Sequence, residues 1–172
     1  RLEDVWALGA LGGRDDFPRL VEVVTSYDPA RRSSPAVRAL FEIRRKLGEL
    51  FGWDESDTGV GARVPSLLDR LPPDLRDAAP LPQSGAFPFT PLYLTGNEWA
   101  AELANRTVHG VLHLGWVADG RGGYRGQLAI LVKPNGLLGT AYLAAIKPFR
   151  HLLVYPAMLR ELEQEWRGVT GA

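Results

Sequence analysis

The chain has 172 residues, about the length of a single domain, and we expect one domain over residues 1–172. Its 20 lysines and arginines balance its 20 aspartates and glutamates. Because nucleic-acid-binding proteins usually carry a basic excess, this balance predicts no nucleic-acid partner. The absence of cysteine excludes disulfides, thiol catalysis and cysteine-ligated zinc or iron–sulfur sites.

Targeting signals are not evident in the sequence. No stretch is apolar enough to predict a membrane span, and no signal peptide is indicated, so we expect a cytoplasmic protein. The sequence starts at Arg1 rather than at a methionine, which leaves room for upstream residues and for a strand among them.

The first elements are predicted to be a loop and a helix. The glycine-rich run at residues 9–13 lacks the spacing and the strand-to-helix context of a phosphate-binding loop, so it predicts an ordinary loop. Asp16 and Pro18 are typical of a helix start, and the apolar residues after them predict a short helix through Ser26.

A second helix is predicted to follow. Ser33 or Ser34 can cap it, Pro35 suits its first turn, and Gly52 can end it. Apolar residues recur there every three or four positions, and Arg44 interrupts the stripe.

Residues 53–91 predict a long, proline-rich loop with a helical turn or two over 64–71. Such a loop serves either as a lid or as a plain surface excursion.

The middle of the chain predicts strands. Residues 89–94 form one candidate, with Pro91 best placed on a sheet edge. Residues 98–103 have helical composition. Residues 107–117 and 124–132 predict two strands joined by a hairpin loop at 118–123.

A long helix is predicted from Leu138 to Trp166, because apolar residues recur on one face at helical spacing. Pro148 and Pro156 each remove a hydrogen bond and predict kinks. If Phe149 on this face is fully buried, its truncation to alanine is expected to cost about 3–5 kcal/mol. The elements together predict an α+β domain, with an antiparallel sheet closed by this helix.

The hairpin register decides which side chains share a face. If Val117 pairs with Tyr124, His113 lies opposite Leu128 on a largely apolar face. Imidazoles on such a face are either proton carriers or structural hydrogen-bonding groups. The candidates for proton transfer are His113 and His109, and those for ligand contact are Tyr93, Trp99, Val111, Tyr124, Leu128, Ile130, Tyr142 and Phe149.

Other constellations are weaker. His109 and His113 are too far apart along a strand to share a metal ion, so we expect no metal and no cofactor. Glu98 and Glu102 can act as a paired acid and base only if they lie on a helix. No serine lies in a nucleophile motif with supporting context.

Four segments resemble a bacterial family of uncharacterised proteins related to the START-like (SRPBCC, helix-grip) superfamily. They are residues 94–102 (LTGNEWAAE), 109–115 (HGVLHLG), 132–139 (VKPNGLLG) and 146–152 (IKPFRHL). The resemblance covers the chain from about residue 35, and the relatives often have histidine before arginine where this chain has Arg150 and His151. It implies a curved antiparallel sheet gripping the C-terminal helix, extra N-terminal helices, a cavity between sheet and helix, and a strand at 98–103.

The leading hypothesis for function is a binding module for a small apolar or amphipathic molecule held in a cavity between the sheet and the C-terminal helix. The alternatives are a cavity enzyme of cyclase, hydrolase or lyase type that uses a histidine for proton transfer, and an interaction protein whose cavity is filled by its own side chains. A homo-oligomer is compatible with all three.

Overall fold

The computed structural model of the chain describes residues 2–28, 35–52, 60, 64–76 and 89–171. Its strands are β1 (Leu2–Gly12), β2 (Thr90–Leu94), β3 (Glu98–Ala104), β4 (Val108–Ala118) and β5 (Tyr124–Pro134). They form one curved antiparallel sheet in the order β1-β5-β4-β3-β2.

The helices of the described part are α1 (Phe17–Ser26), α2 (Pro35–Phe51), α3 (Pro73–Arg76), α4 (Gly136–Phe149) and α5 (Tyr155–Thr170). A 3-10 turn spans Leu67–Arg70, and a π turn over Arg150–Val154 joins α4 to α5 into one long C-terminal helix. The predicted α+β class, with a curved sheet against a long C-terminal helix and further helices near the N-terminus, is confirmed.

Several local predictions are confirmed. Helix α1 begins directly after Asp16, and α2 begins at Pro35 and ends before Gly52, whose φ of 61° is left-handed. The expected caps Ser33 and Ser34 lie outside the described residues. Pro91 lies in β2, an edge strand, where its missing N–H costs the sheet no hydrogen bond.

The prediction of a loop at residues 9–13 is wrong, because β1 continues to Gly12. The glycines there allow side chains of other residues to approach the strand closely, and they do not form a turn. A Cβ atom on Gly9 would lie 2.5 Å from the Glu163 side chain of α5, so the glycine leaves room for that side chain to lie over the strand. Leu8 and Ala10 are buried and Leu11 is exposed, which is the alternation of a half-buried strand.

Strand β3 adopts the conformation that the resemblance implied, against its local helical composition. It lies between β2 and β4, and Trp99, Ala100, Ala101 and Glu102 are all at most 2% exposed. Because the strand is covered on both faces, packing outweighs helical propensity there.

The predicted hairpin register is wrong by one residue. Ala118 pairs with Tyr124, and His113 therefore pairs with Ala129 instead of Leu128. Asp119 closes the loop, since its Oδ1 accepts hydrogen bonds from the backbone N–H groups of Arg121 and Gly123 at 2.7 and 3.0 Å. A shift of one residue exchanges the two faces of a strand, so the predicted shared face does not exist.

Helices lie on one face of the sheet, and part of that face carries a solid core. The core side chains from the sheet, α1 and α5 are Trp99, Leu114, Trp116, Leu128, Phe17, Leu20, Leu162 and Trp166. Their tight burial fixes α1 and α5 against the half of the sheet nearest the hairpin loop.

Part of the apolar stripe predicted for the C-terminal helix is exposed, at the end of α4 and in the π turn. Phe149 and Leu152 are 50% and 74% exposed. Gly139 sets the rotation of α4, because a Cβ atom there would lie 2.0 Å from the carbonyl oxygen of Thr107, so no other residue can face the β3–β4 turn so closely. The cost of about 3–5 kcal/mol expected for truncating Phe149 supposed full burial and does not apply.

Within the described residues, no helix combines the length and the apolarity that crossing a bilayer requires.

Candidate functional site

A pocket of about 280 Å³ lies between the helix-facing side of the sheet and the C-terminal helix. The sheet contributes apolar groups from β3, β4 and β5, among them Leu103, Leu112 and Ile130. Helix α4 contributes Tyr142, Leu143 and Ile146, the π turn contributes Arg150, and Tyr155 begins α5. Arg44 of α2, together with Phe89 and Asn105, completes the polar and aromatic part of the wall.

The side chains that β4 directs to the helix-facing side explain why one half of that side carries a packed core and the other half a pocket. Leu114 and Trp116 fill the space under α1 and α5. Further along the same face, Val108, Gly110 and Leu112 line the pocket. Gly110 leaves volume free, since a Cβ atom added there would meet only the backbone oxygens of its neighbours at 3.7 and 4.0 Å.

Arg150 and Tyr155 form a hydrogen-bonded polar pair in the wall of the pocket. The Arg150 Nε donates to the Tyr155 Oη at 2.6 Å, and Nη2 donates to the same oxygen. The guanidinium carbon also lies 5.1 Å from the centre of the phenol ring. Both side chains are well buried, Arg150 at 13% and Tyr155 at 5% exposure.

The π turn is what brings this pair together. The backbone N–H of Tyr155 donates to the carbonyl oxygen of Arg150, five residues earlier, so the two side chains lie one above the other on the same face. Pro156 follows directly, and its ring would crowd the carbonyl of the residue four positions earlier in a regular α-helix. A wider turn before the proline relieves that contact.

The charges at the pocket are predominantly positive. Arg44 and Arg150 line it, and no carboxylate belongs to its lining among the residues that the structure describes. Asp4 of β1 approaches from the side: its Oδ2 lies 3.5 Å from Nη2 of Arg150, and its Oδ1 lies 3.5 Å from Nε2 of His151. Arg44 lies over the Tyr142 ring at 5.6 Å.

Tyr155 is held in its neutral form. Burial raises the pKa of its phenol above the ordinary 10.0, and the positive charge of Arg150 only partly opposes this effect. At neutral pH the hydroxyl therefore keeps its proton. Because its oxygen accepts from Arg150, the O–H remains available to donate to a bound group.

The predicted ligand-contact residues are distributed over three environments. Val111, Ile130 and Tyr142 line the pocket. Trp99 and Leu128 belong to the solid core, and Tyr124 stacks on Trp116 at its edge, with ring centres 6.5 Å apart. Phe149 is half-exposed, and Tyr93 pairs with Ala100 on β3. The residues outside the first group do not line the pocket: Trp99, Leu128, Tyr124, Phe149 and Tyr93.

Both predicted histidines lie on the face of the sheet opposite the helices, so the prediction that they face the cavity between sheet and helix is wrong. His113 lies beside Glu98, with Nε2 3.8 Å from Oε2, and its side chain is 25% exposed. Burial, followed by the charge of Glu98, raises the pKa of the nearby Tyr93. In the described part of the chain, no group of three or more metal-binding side chains comes together.

His109 belongs to a buried cluster around Glu102. The His109 Nε2 lies 2.8 Å from Oε2 of Glu102, and the hydroxyl of Ser66 donates to Oε1 at 2.5 Å. The backbone N–H of Leu67 approaches both oxygens at 3.2 Å. The carboxylate lies between serine and imidazole, so the serine has no imidazole beside it, and the cluster attaches the 66–68 segment to the sheet.

Glu98 and Glu102 both lie on strand β3, so the paired acid–base arrangement that required a helix does not form. One carboxylate is 47% exposed and the other is fully buried, and each has a different histidine as its neighbour.

The sequence analysis missed the polar residues that matter most to the pocket: Arg150, Tyr155 and Asp4. Arg150 and Tyr155 are five apart, a spacing that neither an α-helix nor a strand places on one face. The available signal was Pro156, which predicts an irregular turn before it. Asp4 lies on β1, for which no strand had been predicted.

Comparison with known protein families gives a match over most of the chain. The family described as "Protein of unknown function (DUF2867)" matches residues 1–157. No curated protein shows a significant match, and neither does any solved structure.

Proposed function

The chain belongs to the DUF2867 family, and we propose that it binds a small amphipathic molecule in the pocket between the sheet and the C-terminal helix. The observation that carries the proposal is the composition of the pocket wall. Apolar side chains from three strands and α4 form most of it, and the polar groups come from two arginines, two tyrosines and Asn105. A few polar groups set into an apolar wall are typical of small-molecule sites.

The size of the pocket limits the ligand. Its volume of about 280 Å³ is at the lower end of ligand sites and corresponds to roughly nine atoms of the size of a water molecule. A medium-length acyl chain or a single ring with a polar substituent matches this volume. Burial of such a chain contributes about 0.8 kcal/mol per methylene group.

Two related proposals accompany this one. A relationship to START-like proteins is supported by the sheet that packs on a long C-terminal helix with a pocket between them. A cytoplasmic location is supported by the lack of cysteine. Histidine catalysis in the pocket has less support than binding, because His109 and His113 lie on the opposite face of the sheet.

Filling the pocket tests the proposal. We expect Gly110→Leu to abolish binding, because the new side chain extends into the pocket while its Cβ atom fits the strand. The measurement is a titration of the protein with octan-1-ol and with octanoate, followed by amide shifts in two-dimensional NMR. In the unmodified protein the shifts should include Leu112, Ile130 and Ile146.

Gly96→Leu is the matched control, since Gly96 is exposed and nothing in the described part of the chain beyond its own neighbours lies within 4 Å of its Cβ position. This variant should bind as the unmodified protein does. The proposal is wrong if neither compound shifts the pocket amides, or if a folded Gly110→Leu protein still binds both. Native mass spectrometry of freshly purified protein would add the identity of a co-purified ligand.

A further inference from the structure

Arg150 is a buried cation whose charge is only partly balanced. At 13% exposure its guanidinium has lost most of its contact with water. The carboxylate of Asp4 is 3.5 Å away, longer than the 2.7–2.9 Å of a strong charge-assisted hydrogen bond. Asp4 is also shared with His151. The pair of Arg150 and Asp4 therefore leaves positive charge on the pocket wall.

The donors of Arg150 are not all used. Nε and Nη2 both point to the Tyr155 hydroxyl, and Nη2 also approaches Asp4. Among the described residues, Nη1 donates to no protein acceptor. Tyr155 accepts from the guanidinium, so its own proton is directed elsewhere. Two kinds of donor, N⁺–H and O–H, thus occur side by side on a wall that is mostly apolar.

We infer that the polar end of the ligand is an oxyanion, held by the guanidinium of Arg150 and the hydroxyl of Tyr155. The inference rests on the proposed function and adds the charge and the position of the ligand's head group. Carboxylates and phosphate monoesters share the required chemistry, since both offer adjacent oxygens that accept from a guanidinium. The apolar part of the ligand then lies along β4 and β5, against Leu112 and Ile130.

Asp4 has a defined role in this arrangement. Asp4 provides a partial counter-charge for Arg150 at 3.5 Å, which is longer than a strong charge-assisted hydrogen bond. A bound oxyanion competes with Asp4 for the same guanidinium and is repelled by it. Removing the charge of Asp4 therefore strengthens anion binding, which is the opposite of what loss of a merely structural ion pair would do.

The experiment compares ligands of equal chain length and different head group. Octanoate, octyl phosphate and octan-1-ol are titrated into the full chain, and dissociation constants are measured by calorimetry and NMR. We expect at least one of the anions to bind at least about tenfold more tightly than the alcohol. The tighter of the two anions identifies the head-group class.

Three variants locate the effect. Arg150→Gln should remove the preference for anions while octan-1-ol binds as before, and Tyr155→Phe should weaken anion binding in part. Asp4→Asn should strengthen anion binding about threefold or more, because a repelling charge is lost. Arg160→Gln is the control, since Arg160 is exposed and its Nε donates to the carbonyl oxygen of Pro156.

The inference is overturned if the alcohol and both anions bind equally, or if a folded Arg150→Gln protein retains the preference. It is also overturned if Asp4→Asn weakens anion binding in a protein whose spectrum is otherwise unchanged. The proposed function itself fails under different results: no compound binds, or filling the pocket at Gly110 leaves binding unchanged.

Discussion

Trp99, Trp116 and Trp166 are all at most 2% exposed, but the fold satisfies only two of their indole N–H groups. Trp116 donates to the carbonyl oxygen of Gly13 at 2.9 Å, and Trp166 donates to that of Leu11 at 3.1 Å. Among the residues that the structure describes, the indole nitrogen of Trp99 has no hydrogen-bond partner. A buried donor without an acceptor costs free energy, so Trp99 contributes less to stability than its size suggests.

We therefore expect Trp99→Phe to reduce the free energy of unfolding by less than Trp116→Phe. Both changes remove the same volume from the same core, but only the second removes a hydrogen bond, the one from the Trp116 indole to the Gly13 carbonyl oxygen. The difference should be about 1 kcal/mol, measured by chemical denaturation of the two variants. An equal or larger loss in Trp99→Phe would show that the indole nitrogen is satisfied in solution.

At the scale of elements, the β4–β5 hairpin depends on one carboxylate. Hydrogen bonds from the backbone N–H groups of Arg121, first, and of Gly123 lower the pKa of Asp119 below its ordinary 3.8. Gly120 and Gly122 have φ of 76° and 93°, which suits the tight path of the loop between them. The loop conformation is thus linked to the charge of Asp119.

The sign of the pH dependence follows from the lowered pKa. The contribution of Asp119 is fully present above pH 3.8 and is lost as the pH falls through the lower pKa of the folded protein. We expect amide hydrogen exchange at Arg121 and Gly123 to accelerate in that acid range, relative to amides in the middle of β4. In Asp119→Asn this acid-induced step should be missing, and its persistence would assign the step to another group.

The elements differ in how well the sequence predicts them, for physical reasons. Strands β2, β4 and β5 and helix α1 were predicted because alternation and three-to-four spacing are local properties of the chain. Strand β1 was missed because its glycines are explained by α5, which packs on it from 150 residues away. The register was missed because pairing Tyr124 with residue 117 or 118 gives equally plausible loops. The observed pairing with residue 118 is accompanied by a backbone hydrogen bond from Asp119 to the Gly123 carbonyl oxygen and by the side-chain bonds of Asp119.

The candidate site was predicted still less well. Sequence patterns place Ile130 and Tyr142 on apolar faces, and both line the pocket. The histidines were assigned to it through the register, so an error of one residue moved them to the other side of the sheet. Arg150 and Tyr155 meet through a π turn, whose five-residue spacing is absent from the periodicities used to read helices.

At the scale of the whole molecule, the sheet has helices on one face and the 64–71 segment on part of the other. Glu102 connects this segment to the sheet, since it is fully buried and accepts from Ser66, from the backbone of Leu67 and from His109. The segment that covers part of the face opposite the pocket is therefore attached by the Glu102 carboxylate. Loss of that carboxylate should release the segment while the helix-bearing face stays packed.

We expect Glu102→Gln to lower the free energy of unfolding by about 1.5–3 kcal/mol, since hydrogen bonds to a buried charged group are lost. Hydrogen exchange of the Leu67 and Leu68 amides should accelerate in the same variant. Glu98→Gln is the control, because Glu98 lies on the same strand but is 47% exposed, and its effect should stay within about 0.5 kcal/mol. Equal effects of the two substitutions would contradict the proposed attachment.

The π turn over Arg150–Val154 sets the rotation of every residue that follows it in the C-terminal helix. Such a turn holds one residue more than the corresponding α-helical turn. Deleting that residue would rotate everything that follows by about 100° about the helix axis. Tyr155 would leave Arg150, and Leu162 and Trp166 would leave the core together. The polar pair of the pocket and the hydrophobic anchoring of the C-terminus therefore both depend on the length of this one turn.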